Sequence, residues 1–135
     1  MAALYSEVIL DHFRRPRNYG RLPAPDVTYE DLNPLCGDRI RIDLKLRNEV
    51  IETARFRGDA CAISMAAASV LTELIMGADL EQVETISDDK LITALASDIK
   101  PSRLKCALLP LEVLRSGLKN YRSREKMRLL KESIG

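Results

Sequence analysis

Three cysteines and one aspartate are the residues of this chain best suited to bind a metal ion. Cys36 and Asp38 flank a glycine in one predicted loop, Cys61 opens an alanine-rich stretch, and Cys106 lies near the end of the chain; there is no fourth cysteine. Three thiols and one carboxylate are what a four-coordinate metal or metal–sulfur site needs. If the fold brings them together, the protein handles a thiophilic metal, sulfur or both.

The fourth ligand can be argued from charge. Lys105 is a poor candidate because an amine with a pKa of about 10 stays protonated at neutral pH. Asp38 is anionic and only two residues from a thiol, so it is the better choice. Lys105, Arg103 and Arg39 could offset the negative charge of the ligands. Such a set suits zinc, ferrous iron or an iron–sulfur cluster, and coordination chemistry alone does not choose among them.

Each candidate residue also has a simpler interpretation. Cys61 stands between two alanines and could be a small buried hydrophobic residue, and Asp38 could cap a turn. The cysteines are widely spaced and form no Cys-x-x-Cys pair, which excludes the common zinc-finger signatures. His12, the only histidine, is read as structural or surface-exposed, because nothing in the sequence ties it to the cysteines.

Composition predicts an ordinary globular protein. The 135 residues are 46% hydrophobic and 30% charged, and we expect a single domain over residues 1–135. A net charge of +1 gives no indication of nucleic-acid binding. No apolar run is long enough for a membrane span, and the opening residues do not resemble a signal peptide. We therefore expect a cytoplasmic protein with reduced thiols and no membrane contact.

The first half of the chain predicts one short helix and a small sheet. Apolar residues at helical spacing indicate a helix, and alternation of apolar and charged residues indicates strands. The predicted elements are a helix over Leu4–Phe13 and strands over Val27–Asp31, Ile40–Arg47 and Val50–Arg57. Asn48-Glu49 turns the last two strands into a hairpin, and Val50, Ala54 and Phe56 are expected on one face.

The second half of the chain predicts helices. Asp59 is expected to cap the first of them or to lie in its first turn, and Gly77 to end it. The predicted helices are Ala62–Met76, Leu80–Thr85, Asp88–Ala96, Arg103–Leu118 and Tyr121–Ser133. Pro110 interrupts the fourth, so that helix is expected either to begin nearer Leu108 or to kink. The predicted fold class is α+β, with a three-stranded antiparallel sheet and helices packed on one of its faces.

Four segments of the chain carry a family resemblance: residues 5–20, the loop Asn33-Pro-Leu-Cys-Gly-Asp38, residues 54–64 and the stretch Arg103-Leu-Lys-Cys-Ala-Leu-Leu-Pro110. They resemble the IscU/SufU/NifU family of iron–sulfur cluster assembly proteins, whose fold is SufE/NifU-like. The resemblance implies that Cys36, Asp38, Cys61 and Cys106 bind zinc or iron and a transient [2Fe–2S] cluster. It also implies a cysteine desulfurase and acceptor apo-proteins as partners.

Two features depart from the IscU-type pattern. Lys105 stands where IscU-type proteins have histidine, and Lys-Cys is the SufU-type pattern, yet the extra segment usual in SufU-type chains is absent. The motif Leu-Pro-Pro-Val-Lys, recognised by Hsp70-type chaperones in IscU-type proteins, is also absent, which argues against such a chaperone as partner. The chain is intermediate between the two subtypes.

Three hypotheses follow for function. The first is a cluster assembly scaffold in which Cys106 accepts persulfide sulfur, Lys105 stabilises its thiolate, and the cluster forms on Cys36, Asp38 and Cys61. The second is a zinc-dependent sulfurtransferase that relays sulfur without building a cluster. The third is a structural zinc-binding module without sulfur chemistry.

Overall fold

The predicted α+β architecture is confirmed in the structure of the protein, a computed structural model that describes residues 5–35 and 37–134. A three-stranded antiparallel sheet is followed by a series of helices. In chain order the elements are α1 (Glu7–Arg14), β1 (Val27–Asn33), β2 (Asp38–Arg47), β3 (Val50–Asp59), α2 (Ala62–Ile75), α3 (Leu80–Glu84), α4 (Asp88–Ala94), a short 3₁₀ turn (Pro101–Arg103) and α5 (Leu104–Ile134). Leu4, the first residue of the predicted N-terminal helix, lies outside the described residues.

The strands pair in the order β1-β2-β3. Asn48 and Glu49 join β2 to β3 with positive φ angles of 52° and 66°, as a type I′ hairpin turn requires. The register shifts after the pair Lys45–Thr53, and the next pair is Leu46–Ile51. This bulge places an extra residue in β3 and changes which side chains face inward.

The bulge corrects one sequence prediction about the core face of β3. Ile51, Ala54 and Phe56 are fully buried, whereas Val50 is only partly buried. A regular alternation would put Val50 on the same face as Ala54 and Phe56. Because the bulge inserts one residue, Ile51 takes that place instead.

Helices cover one face of the sheet. α5 packs against β1 and β2, and α2 packs against β3, α1 and α5. Gly117 permits the close approach of α5 to β1, since a Cβ there would lie 3.1 Å from Tyr29 Cβ and 3.2 Å from Val27 Cγ1. The apolar residues between the layers form one core, which includes Ile40, Ile42, Leu44, Phe56, Leu71, Leu111 and Leu114.

The start of α2 differs from the prediction. Asp59 is the last residue of β3 and pairs with Arg39, so it neither caps the helix nor lies in its first turn. The N-cap is Cys61, whose side chain makes no capping hydrogen bond. The predicted end is confirmed: Met76 is the C-cap, and Gly77 follows with a φ of +85°.

α5 is one continuous helix of 31 residues, where two were predicted. It begins at Leu104, so a start near Leu108 is wrong, and Pro110 lies inside it. The helix also runs through Tyr121, which packs against the core. Beyond that point Arg128 pairs with Glu125 and Glu132 at the i−3 and i+4 spacings that stabilise an exposed helix. Among the described helices, this one included, none is both long and apolar enough to cross a membrane.

Candidate metal centre

Asp38 begins β2 and faces the helices. It lies on the same side of the strand as Ile40, Ile42 and Leu44, and only 5% of it is exposed. Its Oδ1 accepts a hydrogen bond from the Cys61 N–H at 3.0 Å, and its Oδ2 lies 2.8 Å from the Ser64 hydroxyl oxygen. A buried carboxylate held at both oxygens is fixed in orientation, which suits a ligand.

Cys61 lies at the N-cap of α2, with extended φ and ψ angles of −67° and 167°. Its side chain is partly exposed, and its sulfur lies 3.6 Å from the Ser64 hydroxyl oxygen. The first N–H groups of a helix and the helix dipole favour negative charge at this position. The predicted location of this thiol at a helix start is confirmed.

Cys106 lies in the first turn of α5, with 3% of its surface exposed. Arg103, at the end of the preceding 3₁₀ turn, interacts with both described thiols. Its pKa is raised above the usual value by Tyr5 and then by Cys61 and Cys106, and it hydrogen-bonds the Cys106 side chain. A guanidinium in this position stabilises thiolates without being able to lose its own charge.

The ligand atoms of Asp38, Cys61 and Cys106 all lie within 4.8 Å of one another. They come from the start of β2, the start of α2 and the first turn of α5, so the packing of these three elements creates the cluster. Two thiols and a carboxylate at such separations fit the donor set of zinc or iron. Three of the four predicted ligands are therefore brought together.

Cys36, the fourth predicted ligand, lies outside the described residues. Among its described neighbours, the Asn33 backbone oxygen accepts the Gly37 N–H at 2.7 Å, and the Asn33 side-chain oxygen accepts the Leu35 N–H at 3.0 Å. Gly37 has a φ of +72°, a conformation that glycine adopts easily. Cys36 as a ligand stays a prediction.

His12 belongs to a different part of the molecule. Its Nδ1 lies 2.7 Å from the Ser69 hydroxyl oxygen, and its Nε2 lies 3.5 Å from Glu73, so the ring links α1 to the middle of α2. It is not in the cluster formed by the described ligands. This placement fits the structural interpretation made from the sequence.

Lys105 is exposed, and its role as a thiolate stabiliser stays a prediction. The sequence analysis missed Ser64, which is fully buried and contacts Asp38, Cys61 and Cys106. The sequence spacing could have indicated that Ser64 lies near the ligands. Ser64 is three residues after Cys61, and residues at that spacing share one face of a helix.

Comparison with known proteins identifies the family. A model of the NifU-like N-terminal domain matches residues 4–128. The zinc-dependent sulfurtransferase SufU of Bacillus subtilis (strain 168) is 39% identical over 132 residues, covering 85% of this chain and 89% of that protein. The iron–sulfur cluster assembly scaffold protein IscU of Azotobacter vinelandii is 32% identical over 125 residues, covering 90% and 96%.

Solved structures agree on the fold. A NifU-like protein (N-terminal) from Brucella abortus superimposes with a TM-score of 0.72 at 18% identity, covering 87% of this chain and 94% of that one. A proposed SUF-system scaffold protein from Fervidobacterium islandicum AW-1 gives a TM-score of 0.71 at 26% identity, covering 84% and 96%. The resemblance expected from the sequence is confirmed, and the chain belongs to the NifU-like N-terminal domain family.

Proposed function

We propose that this protein is an iron–sulfur cluster assembly scaffold, a single cytoplasmic domain over residues 1–135. It accepts persulfide sulfur from a cysteine desulfurase and binds iron and a [2Fe–2S] cluster through Cys36, Asp38, Cys61 and Cys106. The finished cluster passes to acceptor apo-proteins. Iron, sulfur and cluster are the cargo of this site.

The observation that carries the proposal is the separation of at most 4.8 Å among the ligand atoms of Asp38, Cys61 and Cys106. Family membership supports it, since relatives include both a cluster scaffold and a sulfurtransferase. Zinc would be held by the same residues, and when bound it lowers the pKa of a coordinated thiol.

Sulfur acceptance requires a thiolate on this chain. That thiolate attacks the terminal sulfur of the desulfurase persulfide, the sulfur–sulfur bond breaks, and the desulfurase cysteine leaves as a thiolate. The acceptor becomes a persulfide, and no external oxidant or reductant is needed. We assign this role to Cys106, with Arg103 and Lys105 supplying positive charge beside it.

The burial of Cys106 adds a requirement to this assignment. Because only 3% of the residue is exposed, the thiol must move outward before it can meet a persulfide on another protein. The 3₁₀ turn at Pro101–Arg103 directly precedes α5, and its residues are exposed, so a local opening there would uncover the sulfur.

The scaffold proposal is tested by anaerobic reconstitution. Metal-free protein is incubated with ferrous iron, cysteine, a reductant and a cysteine desulfurase, and the visible absorption is followed. We expect a cluster chromophore that moves to an apo-ferredoxin. A protein that stays colourless while the desulfurase is active would contradict the proposal.

The acceptor assignment is tested with single cysteine variants. Cys106→Ser, Cys61→Ser and Cys36→Ser are each mixed with the persulfide form of the desulfurase, and transferred sulfur is located by mass spectrometry of the alkylated chains. We expect only Cys106→Ser to lose sulfur acceptance. Transfer at the full rate to Cys106→Ser would move the role to another thiol.

The second candidate function is a zinc-dependent sulfurtransferase that builds no cluster. Lys105 immediately before Cys106 favours it, and so does the 39% identity to a protein of that description. Zinc-loaded and zinc-free protein are compared as activators of the desulfurase. Stimulation that needs zinc, without a chromophore in the iron reconstitution, would select this function over the scaffold.

A further inference from the structure

The Ser64 side chain touches all three described ligand candidates. It lies in α2, one turn after Cys61, and is fully buried. Its hydroxyl oxygen lies 2.8 Å from Asp38 Oδ2, 2.7 Å from the Cys106 carbonyl oxygen and 3.6 Å from the Cys61 sulfur. The hydroxyl therefore lies between β2, α2 and α5 at the point where these elements meet.

Pro110 explains why the Cys106 carbonyl accepts this side-chain hydrogen bond. In an α-helix the N–H of a residue donates to the carbonyl four residues earlier, which pairs position 110 with Cys106. Proline has no N–H, so position 110 cannot donate. The Ser64 hydroxyl reaches the same carbonyl from the neighbouring helix, and α5 continues through the proline.

A serine hydroxyl has one hydrogen to donate, and here two acceptors lie within 2.8 Å of it. The Cys106 carbonyl and the Asp38 carboxylate thus share one donor. Movement of either ligand residue away from Ser64 passes the hydrogen to the other, so their positions are coupled through this hydroxyl.

We propose that Ser64, together with Pro110, is the positioning unit of the metal site, holding Asp38 and Cys106 at a common distance. This inference rests on the metal-binding part of the proposed function. Ser64 is not proposed as a ligand. It orients ligands through hydrogen bonds, and loss of such outer partners typically weakens metal binding about 10–100-fold.

The test is zinc affinity, measured by competition with a chromophoric chelator on metal-free protein. Ser64→Ala is expected to bind zinc about 10–100-fold more weakly than the unmodified chain. Ser69→Ala is the matched control, because Ser69 is also fully buried in α2 but bonds His12 and the Arg17 backbone instead. We expect it to lose stability without losing zinc affinity.

The outcomes separate the two proposals. An unmodified chain that binds no zinc would overturn metal binding and with it the proposed function. Zinc affinity that is equal in the unmodified chain and Ser64→Ala, or reduced equally in Ser64→Ala and Ser69→Ala, would overturn only the positioning role. Unfolding curves of the metal-free variants, recorded in parallel, show whether each chain folds.

Pro110→Ala provides a second measurement that leaves Ser64 intact. The substitution supplies the backbone N–H that the helix lacks at this position, so the Cys106 carbonyl gains a donor within its own helix and competes less for the Ser64 hydroxyl. The metal-free protein should be at least as stable as the unmodified chain, because proline is costly inside a helix. Zinc affinity should nevertheless fall several-fold, since the shared donor no longer links Asp38 to Cys106. A zinc affinity of Pro110→Ala equal to that of the unmodified chain would mean that Pro110 has no part in positioning the ligands.

Discussion

The backbone N–H of Cys61 donates a hydrogen bond to Oδ1 of Asp38 across 3.0 Å, so one candidate ligand fixes the backbone of another. Cys61 is the N-cap of α2 and provides no side-chain cap itself. The buried carboxylate from β2 is thus attached to the start of the helix. This hydrogen bond fixes two of the candidate ligands relative to each other.

Two substitutions at Asp38 separate its structural role from its role as a ligand. Asp38→Asn keeps an oxygen acceptor for the Cys61 N–H, whereas Asp38→Ala leaves that group without this partner. We expect Asp38→Ala to lose about 1–3 kcal/mol of unfolding free energy, and Asp38→Asn distinctly less. Both should bind zinc weakly, because neither supplies a carboxylate. Urea unfolding of metal-free protein and a zinc titration measure the two effects.

The result would contradict this account in either of two ways. Equal stability of Asp38→Asn and Asp38→Ala would mean that the hydrogen bond to Cys61 contributes nothing to the fold. Zinc affinity of Asp38→Asn equal to that of the unmodified chain would mean that the carboxylate is not a ligand.

A second network joins α1 to α2 around His12. The Arg17 N–H donates to the Ser69 hydroxyl oxygen at 2.8 Å, and that oxygen lies 2.7 Å from His12 Nδ1. When the neutral ring carries its hydrogen on Nε2, the Ser69 hydroxyl donates to Nδ1, and the Nε2–H lies on the side of Glu73. Burial is the main cause that lowers the pKa of His12, followed by the nearby Arg17, while Glu73 and Asp11 act in the opposite direction.

We predict that the stability of the metal-free protein falls as the pH is lowered below about 6.5, the ordinary pKa of histidine. Because the folded state lowers the pKa of His12, the unfolded chain binds the proton more readily. The stabilisation is therefore complete above the unfolded pKa and is lost as the pH falls toward the folded one. His12 is the only histidine, which makes the assignment direct.

Urea unfolding between pH 8 and pH 5, with a chelator and a thiol reductant present, measures this dependence. The control is His12→Gln, which keeps polar atoms but cannot titrate. It should be less stable at pH 8 and should show a flatter slope between pH 7 and pH 5. An unchanged slope in the variant would assign the pH dependence to other groups.

The sequence predicts the parts of the centre that depend on local rules. Asp38 and Cys36 are close in the chain, and the alternation in β2 and the helix formers of α2 place Asp38 and Cys61 at element ends. That Cys106 meets them could not be derived from spacing, because it depends on how α5 packs on the sheet. Only the family resemblance indicated that contact.

The missed features depend on contacts distant in the chain. The burial of Ile51 instead of Val50 follows from a bulge that is set by pairing with β2. α5 continues through Pro110, and a hydroxyl from α2 bonds the Cys106 carbonyl one turn before the proline. Periodicity and propensity report only on neighbours in sequence, so neither feature was accessible to them.

A substitution at Gly58 should have a third measurable effect, on both stability and zinc binding. A Cβ at this position would lie 2.7 Å from the Arg39 carbonyl oxygen and 2.7 Å from Ile40 Cδ1, and these residues directly follow Asp38. Gly58→Ala should therefore lower the unfolding free energy by about 1–3 kcal/mol and weaken zinc binding. Arg57→Ala, an exposed neighbour on β3, should stay within about 0.5 kcal/mol. Equal unfolding curves for the two variants would contradict the close contact.

The hairpin turn offers a substitution that should stabilise the protein. Glu49 has a φ of +66°, which costs energy for any residue with a Cβ but not for glycine. Its side chain pairs with Arg122 at 3.0 Å, but both groups are exposed, and Arg122 also holds Glu84 at 2.6 Å. Such an exposed pair contributes at most about 1 kcal/mol.

Glu49→Gly should raise the unfolding free energy by about 0.5–1 kcal/mol. The gain is relief of the backbone strain. It exceeds the two costs, which are the lost ion pair and the greater entropy of glycine in the unfolded chain. Glu49→Gln keeps the strained backbone and removes only the charge, so it should be slightly less stable than the unmodified chain. Urea unfolding of all three proteins provides the comparison. If Glu49→Gly proves no more stable than Glu49→Gln, which also lacks the ion pair, the strain of the turn is no larger than the entropy that glycine gains in the unfolded chain.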